Sequence, residues 1–403
     1  MSTSHIYHTQ GIRNFHYKKE EYVGNTVKIY ICRPLDKFRC PDCGSSNVLA
    51  IKDGQREIKG LKSGKKQTHF IIDIHRIKCR DCGCFKYEKL DFISRPKVHY
   101  TRGLERSVIE LRKEMSISAL AKYFDLHWST IKDIEKRHLG TKYKKIKLKD
   151  VKYIGIDEVY VGHKKYLTVV RDMESGAVLY IGDGKGGDAL VGFAKKLKHS
   201  KCKIEAAAVD LAPGYTAWLK DILPGTDIVY DHFHLIKLMN EKINSIRRST
   251  MNKLDEHLKK ELKGQSWLFI KNIENLNQDE TKKLEELKLM FDDLGTACFL
   301  KEAMRKIYSI AESDYEAELA FNYWCQLAIE SKIPAMKTMA KTVQRNMEGI
   351  KGYWRHHKLT SAGMEGFNNK IGWLNRQAYG YRDDEYFKLK IFDLPTITLD
   401  KDI

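Results

Sequence analysis

The spacing of apolar side chains divides the chain into stretches of different character. Between about residues 100 and 139 the period is helical. There Leu120, Ala121, Phe124, Leu126, Ile131 and Ile134 fall where two short helices can pack across a tight turn. The second of these helices is expected to start near His127–Ser129 and run to about His138. Asp125 holds the turn position where glycine is usual. From Val151 the pattern becomes strand-like. Residues 151–160, 165–171 and 177–181 are β-rich, and Glu174-Ser175-Gly176 marks a turn. Residues 188–198 read as a helix and 204–209 as a short apolar strand. Residues 213–223 read as a helix with Pro213 in its first turn, and 227–230 as another strand. The order β-β-β-α-β-α-β predicts a mixed sheet with helices packed on it. Strand signals stop from 233 to 350, where Leu, Ile, Phe and Met recur at helical spacing and Asn277-Gln-Asp-Glu280 marks a helix start. Residues 360–391 return to an amphipathic helix and a tail.

Charge narrows the partner. The chain has 403 residues, a net charge of +19 and a pI near 9.3, which favours a polyanion, above all nucleic acid. Residues 1–30 are basic and aromatic, either a partner-binding arm or the edge of the next module. Thr141–Lys149 carries five lysines in nine residues and reads as a solvated basic linker that could track DNA. No run of about 18 apolar residues predicts a membrane span, and the N-terminus lacks signal-peptide features. A cytoplasmic protein without a membrane partner is expected.

Six of the nine cysteines precede residue 85. Cys40-Pro-Asp-Cys43-Gly and Cys79-Arg-Asp-Cys82-Gly are matching knuckles, each offering two sulfurs to a tetrahedral Zn²⁺. Cys84 and His75 are alternative ligands. A closed four-ligand site is structural rather than catalytic. On the second helix of the apolar pair, Trp128, Ser129, Thr130, Lys132 and Asp133 could face a DNA major groove.

Three acids stand out. Tyr153-Ile-Gly-Ile-Asp157-Glu158 and Ala206-Ala-Ala-Val-Asp210 are apolar strands ending in acid, which is costly unless the acid lies at a strand end or binds metal. Adjacent parallel strands would bring Asp157 and Asp210 together. Glu365 lies on the late helix, where Asn369 falls about 40° away and Arg376 about 20°, so one face offers a ligand, an amide and a cation. Such a triad suits two divalent ions acting on a phosphodiester. Glu158 and Asp231 are rivals for a ligand place.

At these residues the chain resembles a bacterial insertion-sequence transposase of the DDE class, in particular the ISL3 family. The resemblance rests on Gly155-Ile-Asp157-Glu158, on Val209-Asp210, and on Asp231-His-Phe-His234. It rests above all on Ser361-Ala-Gly-Met-Glu365-Gly-Phe-Asn-Asn-Lys-Ile with Arg376-Gln-Ala-Tyr-Gly-Tyr-Arg382. It implies a multidomain α+β protein: a zinc module (1–95), a helix-turn-helix (96–140), a basic linker (141–150), and an RNase H-like mixed α/β catalytic domain (151–232 and 351–392) interrupted by an all-helical insertion (233–350). It implies that Asp157, Asp210 and Glu365 are catalytic and hold two Mg²⁺ (or Mn²⁺). Asp231 and His234 would position them. Asn369, Lys370 and Arg376 would hold the DNA strand. The partners implied are double-stranded transposon ends and target DNA, bound by a homodimer associated with the bacterial nucleoid. The alternatives are an inactive DNA-binding regulator derived from a transposase, or another RNase H-like nuclease.

Overall fold

In the computed structural model, residues 3–211 and 213–395 are described. The chain forms two compact units, Met1–Lys144 and Lys145–Ile403.

The first unit opens with α1 (Thr3–Gln10), whose Ile6 is buried together with Ile12 and Phe15. The N-terminal stretch is therefore an edge of the module and not a free arm. A five-stranded sheet follows: β1 (His16–Val23), β2 (Thr26–Cys32), β3 (Val48–Lys59), β4 (Gln67–Cys79) and β5 (Phe85–Tyr87). Its order is β1-β2-β4-β3, with β5 pairing the end of β4. Along β2, burial alternates and points Val27, Ile29 and Ile31 inward, the period-two signature of a half-buried strand. Three helices complete the unit, α2 (Arg102–Leu111), α3 (Ile117–Phe124) and α4 (Trp128–Lys142). Sheet and helices share one core, in which Phe70 and Ile72 join Leu104, Leu120, Phe124, Ile131 and Ile134.

Side-chain caps start all three of these helices, with His127 Nδ1 accepting from the Ser129 N–H at the head of α4. Thr101 accepts from the Leu104 N–H and Ser116 from the Ala119 N–H. Between α3 and α4, Asp125 adopts a left-handed conformation at φ 50°. The conformation usual for glycine is held here by a neighbour: buried Lys59 Nζ donates to the Asp125 carbonyl at 2.5 Å and to its carboxylate at 2.7 Å. The second helix runs four residues beyond the expected His138, to Lys142, and absorbs the start of the basic stretch.

In the second unit Leu148 is buried and Ile146 packs against the same core, so the lysine-rich stretch is not wholly solvated. The sheet comprises β6 (Tyr153–Gly162), β7 (Lys165–Asp172), β8 (Val178–Asp183), β9 (Ala206–Val209) and β10 (Asp227–Tyr230), in the order β10-β9-β6-β7-β8. β6, β7 and β8 are antiparallel, while β9 and β10 run parallel to β6. The expected helix 188–198 divides into a 3-10 turn, Gly187–Leu190, and α5 (Val191–Ser200). Next come α6 (Pro213–Ile222) and α7 (His232–Lys253).

The insertion continues with α8 (Glu256–Leu262), α9 (Ser266–Ile270), α10 (Gln278–Met290), α11 (Asp292–Ile310), α12 (Asp314–Glu330) and α13 (Pro334–Arg345). Asn277 and Glu280 form a reciprocal capping box at the head of α10. The chain returns through α14 (Met347–Arg355), α15 (Ala362–Gln377) and α16 (Asp384–Asp393). One face of the sheet, with Ile154, Ile156 and Val170, joins α5, α6 and the insertion helices in a large core. The other face, with Val159, Leu167 and Val169, packs Met364, Phe367, Ile371 and Leu374 of α15 and Phe387 and Ile391 of α16. No helix among the described residues is long and apolar enough to cross a membrane.

Candidate functional site

Strand alternation sorts the acids. Gly155, Asp157 and Val159 face α15, while Ile154, Ile156 and Glu158 face the opposite core. β6 pairs β9 in parallel with Gly155 opposite Ala208, and β10 pairs β9 with Tyr230 opposite Val209. Continued, that register lines up Asp157 with Asp210 and Asp231, which stand just past the carboxyl ends of β9 and β10; Asp157 itself is not at a strand end as expected but in the middle of β6, just beyond the part that pairs with β9. Open α/β sheets bind ligands at such ends.

Asp157 is half-buried, and its carboxyl is pushed up to about 6. Burial is the main cause and the neighbouring charges of Asp210 and Glu158 add to it; the Glu158 N–H and the charge of His234 pull the other way. Asn368 Nδ2 donates to Asp157 Oδ2 at 2.8 Å. Asn368 was not named from the sequence. The expected Asn369 lies one residue on and is exposed, as are Lys370 and Arg376.

The rivals are otherwise engaged. Glu158 accepts from the Tyr215 hydroxyl at 2.7 Å on the opposite face of the sheet. Asp231 caps α7, accepting from the Phe233 N–H at 3.0 Å. It also accepts from Thr360 Oγ1 at 3.1 Å and from the Ser361 hydroxyl, in the turn that leads into α15. His234 Nδ1 lies 4.0 Å from Asp231 Oδ2.

α15 is seated by three further contacts. Arg171 donates to the Gly363 carbonyl at 2.6 Å and lays its guanidinium 4.1 Å from the centre of the Phe367 ring. Gly155 lets the helix approach β6 closely: a Cβ there would stand 2.4 Å from Met173 Sδ and 3.0 Å from Met364 Cγ. Glu365 is exposed, one turn before Asn368. The helix face around it bears Asn369, Arg376 and an exposed Trp373, which sequence reading also missed; Lys370 is exposed about 140° further round. Among the described residues, Asp157, Asp210 and Glu365 do not form a group within 4.8 Å of one another. Asp157 and Asp210 are hard oxygen donors whose mutual repulsion a divalent cation would relieve, so the pair fits Mg²⁺ or Mn²⁺.

The Asp231 latch carries a pH prediction. Burial raises its carboxyl, but hydrogen bonds from His232, Ser361 and the Phe233 N–H bring it down to about 2. Against an unfolded value near 3.9, its contribution is present above about pH 4 and is lost as pH falls through 2. Asp231→Asn should lower stability by about 2 kcal/mol at pH 7, with the difference shrinking below pH 4. Urea denaturation across pH checks this; a pH-independent difference would refute it.

The four knuckle cysteines form a second cluster. Cys40, Cys43, Cys79 and Cys82 place their sulfurs within 4.8 Å of one another. Cys40 and Cys82 are 3.5 Å apart, Cys43 and Cys79 3.7 Å. A tetrahedron of thiolates at about 2.3 Å from zinc has edges of roughly 3.8 Å. Cys40 is lowered to about 6, chiefly by hydrogen bonds from the backbone N–H groups of Cys43 and Asp42. Gly44 and Gly83 take φ of 76° and 72° to close the two turns. Asp81 accepts from Ser45 and Asn47 and so ties one knuckle to the other. Cys84 stays outside the quartet, its carbonyl accepting from the Cys79 N–H at 2.8 Å. His75 is bonded instead to buried Glu88 at 2.9 Å.

On the helix pair, Trp128 and Ser129 are exposed at the head of α4, with Thr130 and Lys132 half-buried beside them. Lys132 Nζ lies 5.9 Å from the centre of the Trp128 ring.

Comparison with known proteins agrees over both units. Residues 154–391 match a transposase family, ISL3, and residues 88–139 match the helix-turn-helix domain of transposase family ISL3. The transposase for insertion sequence element IS1001 of Bordetella parapertussis is 29% identical over 374 residues, covering 91% of each chain. The transposase for insertion sequence element IS1557 of Mycobacterium tuberculosis is 25% identical, covering 86% of this chain and 83% of its own. The Drosophila P element transposase strand transfer complex aligns with 74% of this chain and 92% of its own, at 12% identity and a TM-score of 0.38, too remote to bear on the fold. With the matched family spanning more than half of its length, the chain belongs to the ISL3 family of insertion-sequence transposases.

Proposed function

We propose that the protein binds the terminal inverted repeats of its element and catalyses DNA cleavage and strand transfer. The zinc module (1–95) and helix-turn-helix (96–140) bind the ends. An RNase H-like domain (151–232 with 351–392), interrupted by the helical insertion (233–350), carries the chemistry. The strand order β8-β7-β6-β9-β10, three antiparallel then two parallel, supports that assignment. The observation that carries the reading is the register of Asp157 and Asp210 on adjacent parallel strands beneath the helix that bears Glu365.

Asp157, Asp210 and Glu365 would hold two Mg²⁺ or Mn²⁺. When bound, these ions supply a water of lowered pKa and charge stabilisation at the scissile phosphate. The chain's own residues set the stage. Asn368 holds Asp157 Oδ2 and the Glu158 N–H holds Oδ1 at 2.8 Å, which together fix the orientation of the carboxylate. The charge of His234 favours the ionised form of Asp157. Asp231, Arg171 and Gly155 hold α15 against β6. Asn369, Lys370 and Arg376 take phosphate oxygens along the exposed face of α15. Water attacks a phosphodiester at the element's end and displaces its 3′-oxygen; the freed 3′-hydroxyl then attacks a target phosphodiester and displaces the 3′-oxygen of the target strand, with catalysis mainly through positioning and electrostatics. In the first unit, Cys40, Cys43, Cys79 and Cys82 hold Zn²⁺. Trp128, Ser129, Thr130 and Lys132 enter the groove. Two ends brought together imply a homodimer.

The test is nicking of duplex DNA that carries the element's ends. Cleavage at the ends with Mg²⁺ or Mn²⁺, and none without divalent metal, is expected. Specific end binding without nicking in any divalent metal would instead make the protein a regulator.

A further inference from the structure

The sheet of the first unit leaves one face uncovered beside the zinc knuckles. β3 pairs β4 with Leu49 opposite Lys78 and Ile51 opposite Arg76; β5 pairs β4 with Phe85 opposite Lys78 and Tyr87 opposite Arg76. Paired residues point to the same side, which makes two parallel rows, Leu49-Lys78-Phe85 and Ile51-Arg76-Tyr87. Four large apolar side chains in these rows are exposed: Leu49 48%, Ile51 43%, Phe85 51% and Tyr87 52%. This is a contiguous patch and not scattered single residues, and such patches mark interaction sites.

The two rings are organised around one cation. The Arg76 guanidinium lies 5.6 Å from the centre of Phe85 and 5.0 Å from that of Tyr87. Asp53 holds it there, accepting from Arg76 Nε at 2.7 Å and from the Tyr87 hydroxyl at 2.8 Å. Lys78, between Leu49 and Phe85 in the other row, and Arg80 just past the end of β4, are exposed and have no ion-pair partner among the described residues. The patch is therefore a set of flat apolar surfaces with unneutralised positive charge.

That combination selects among occupants. A second copy of the chain meeting this face isologously would bring two sets of unneutralised cations together. Duplex DNA would satisfy the cations but keeps its base faces stacked, so the exposed rings would gain nothing from it. An unpaired strand supplies both complements, phosphates for the cations and open base faces for the rings and the guanidinium plane. We propose that this face of the zinc module binds single-stranded DNA, with bases laid on Phe85, Tyr87 and Arg76 and phosphates on Lys78 and Arg80. The face lies away from the acidic residues of the second unit in sequence, and binding to it needs neither cleavage nor Mg²⁺, so it stands or falls separately from the catalytic reading.

Fluorescence anisotropy with the zinc-loaded full chain tests it, without added magnesium. The probes are a labelled oligothymidine of about 20 nucleotides, an abasic strand of the same length, and a duplex. Roughly 0.2 M salt suppresses binding through phosphates alone. The wild type should prefer the thymidine strand to the abasic one. Phe85→Ala with Tyr87→Ala should weaken strand binding by at least about tenfold, because stacking is worth that much per base or more, and should change duplex binding less than about twofold. Phe85→Leu with Tyr87→Leu keeps apolar bulk on the strand but removes the ring faces, and should lose strand binding as well. Zinc content reports whether each variant has folded, and Phe85→Tyr should bind like the wild type. Equal affinity for thymidine and abasic strands would overturn the proposal. So would equal losses for strand and duplex in a zinc-loaded variant. Dissociation of an oligomer by the ring substitutions, with strand affinity unchanged, would assign the face to a second copy instead.

Discussion

Glu365→Gln is expected to reduce end cleavage by roughly a thousandfold or more while leaving specific DNA binding within about twofold. The substitution keeps the size and helix propensity of the side chain and removes only its charge. Glu365 is exposed on α15, and the helix is seated by Met364, Phe367, Ile371 and Leu374, so stability should not change. What is lost under the proposed mechanism is the third anionic ligand, and with it the metal ions' hold near the scissile phosphate. Single-turnover cleavage of end-bearing DNA, measured beside anisotropy with the same DNA, separates the two quantities. A variant that cuts within tenfold of wild type would remove Glu365 from the triad. Asp157→Asn offers a companion result. It should abolish cleavage too, but without divalent metal it should stabilise the protein at pH 8, because it removes a buried charge whose carboxyl sits at about 6. That gain should shrink as pH falls from about 6 to about 4 and be gone below that, where the wild-type carboxyl is neutral both folded and unfolded.

Cys43→Ser should produce the largest structural effect in the first unit. Structural zinc sites contribute about 10–16 kcal/mol in isolated finger peptides. Here the quartet closes two turns otherwise tied by the Asp81 contacts, an Arg80-to-Asn47 backbone bond, the Lys86–Asp42 ion pair and the β3–β4 ladder. Losing one thiolate should release the metal, loosen both knuckles and lower end affinity at least about tenfold. The helix pair should survive, because its core of Leu104, Leu120, Phe124, Ile131 and Ile134 does not include the cysteines. Zinc content, hydrogen exchange over the two knuckles and α4, and end affinity check the three parts. Full zinc content with unchanged end affinity would refute the role of the quartet.

Much of this was legible in the chain because the signals are local. Matching C-x-x-C-G turns announce themselves by spacing, and the sulfurs meet as the tetrahedral requirement predicts. Helical spacing marked the helix pair, and acids following apolar strand-like runs marked Asp157 and Asp210, although β6 runs on past Asp157 to Gly162. The misreadings were also local in origin. The basic stretch looked solvated because lysines dominate it, yet Ile146 and Leu148 between them turn inward. Asp125 looked ill-suited to its turn because its support, Lys59, is 66 residues away. Asn368 went unnamed because its contact with Asp157 is set by how α15 lies on β6 and not by helical angle to Glu365.

The sequence by itself determined the family, the cysteine quartet, and which acids follow apolar strand-like runs, since each depends on residue type and short-range spacing. The tertiary structure decided which acids are neighbours and which are occupied. Parallel pairing of β6, β9 and β10 brings residues 157, 210 and 231 into one row, although 53 and 21 positions separate them along the chain. Packing then gives Asp231 to Ser361 and Glu158 to Tyr215, and leaves Asp157 beneath α15. A carboxylate's role depends on its burial and on the charges and donors around it. Those are properties of the folded neighbourhood, which no spacing along the chain encodes.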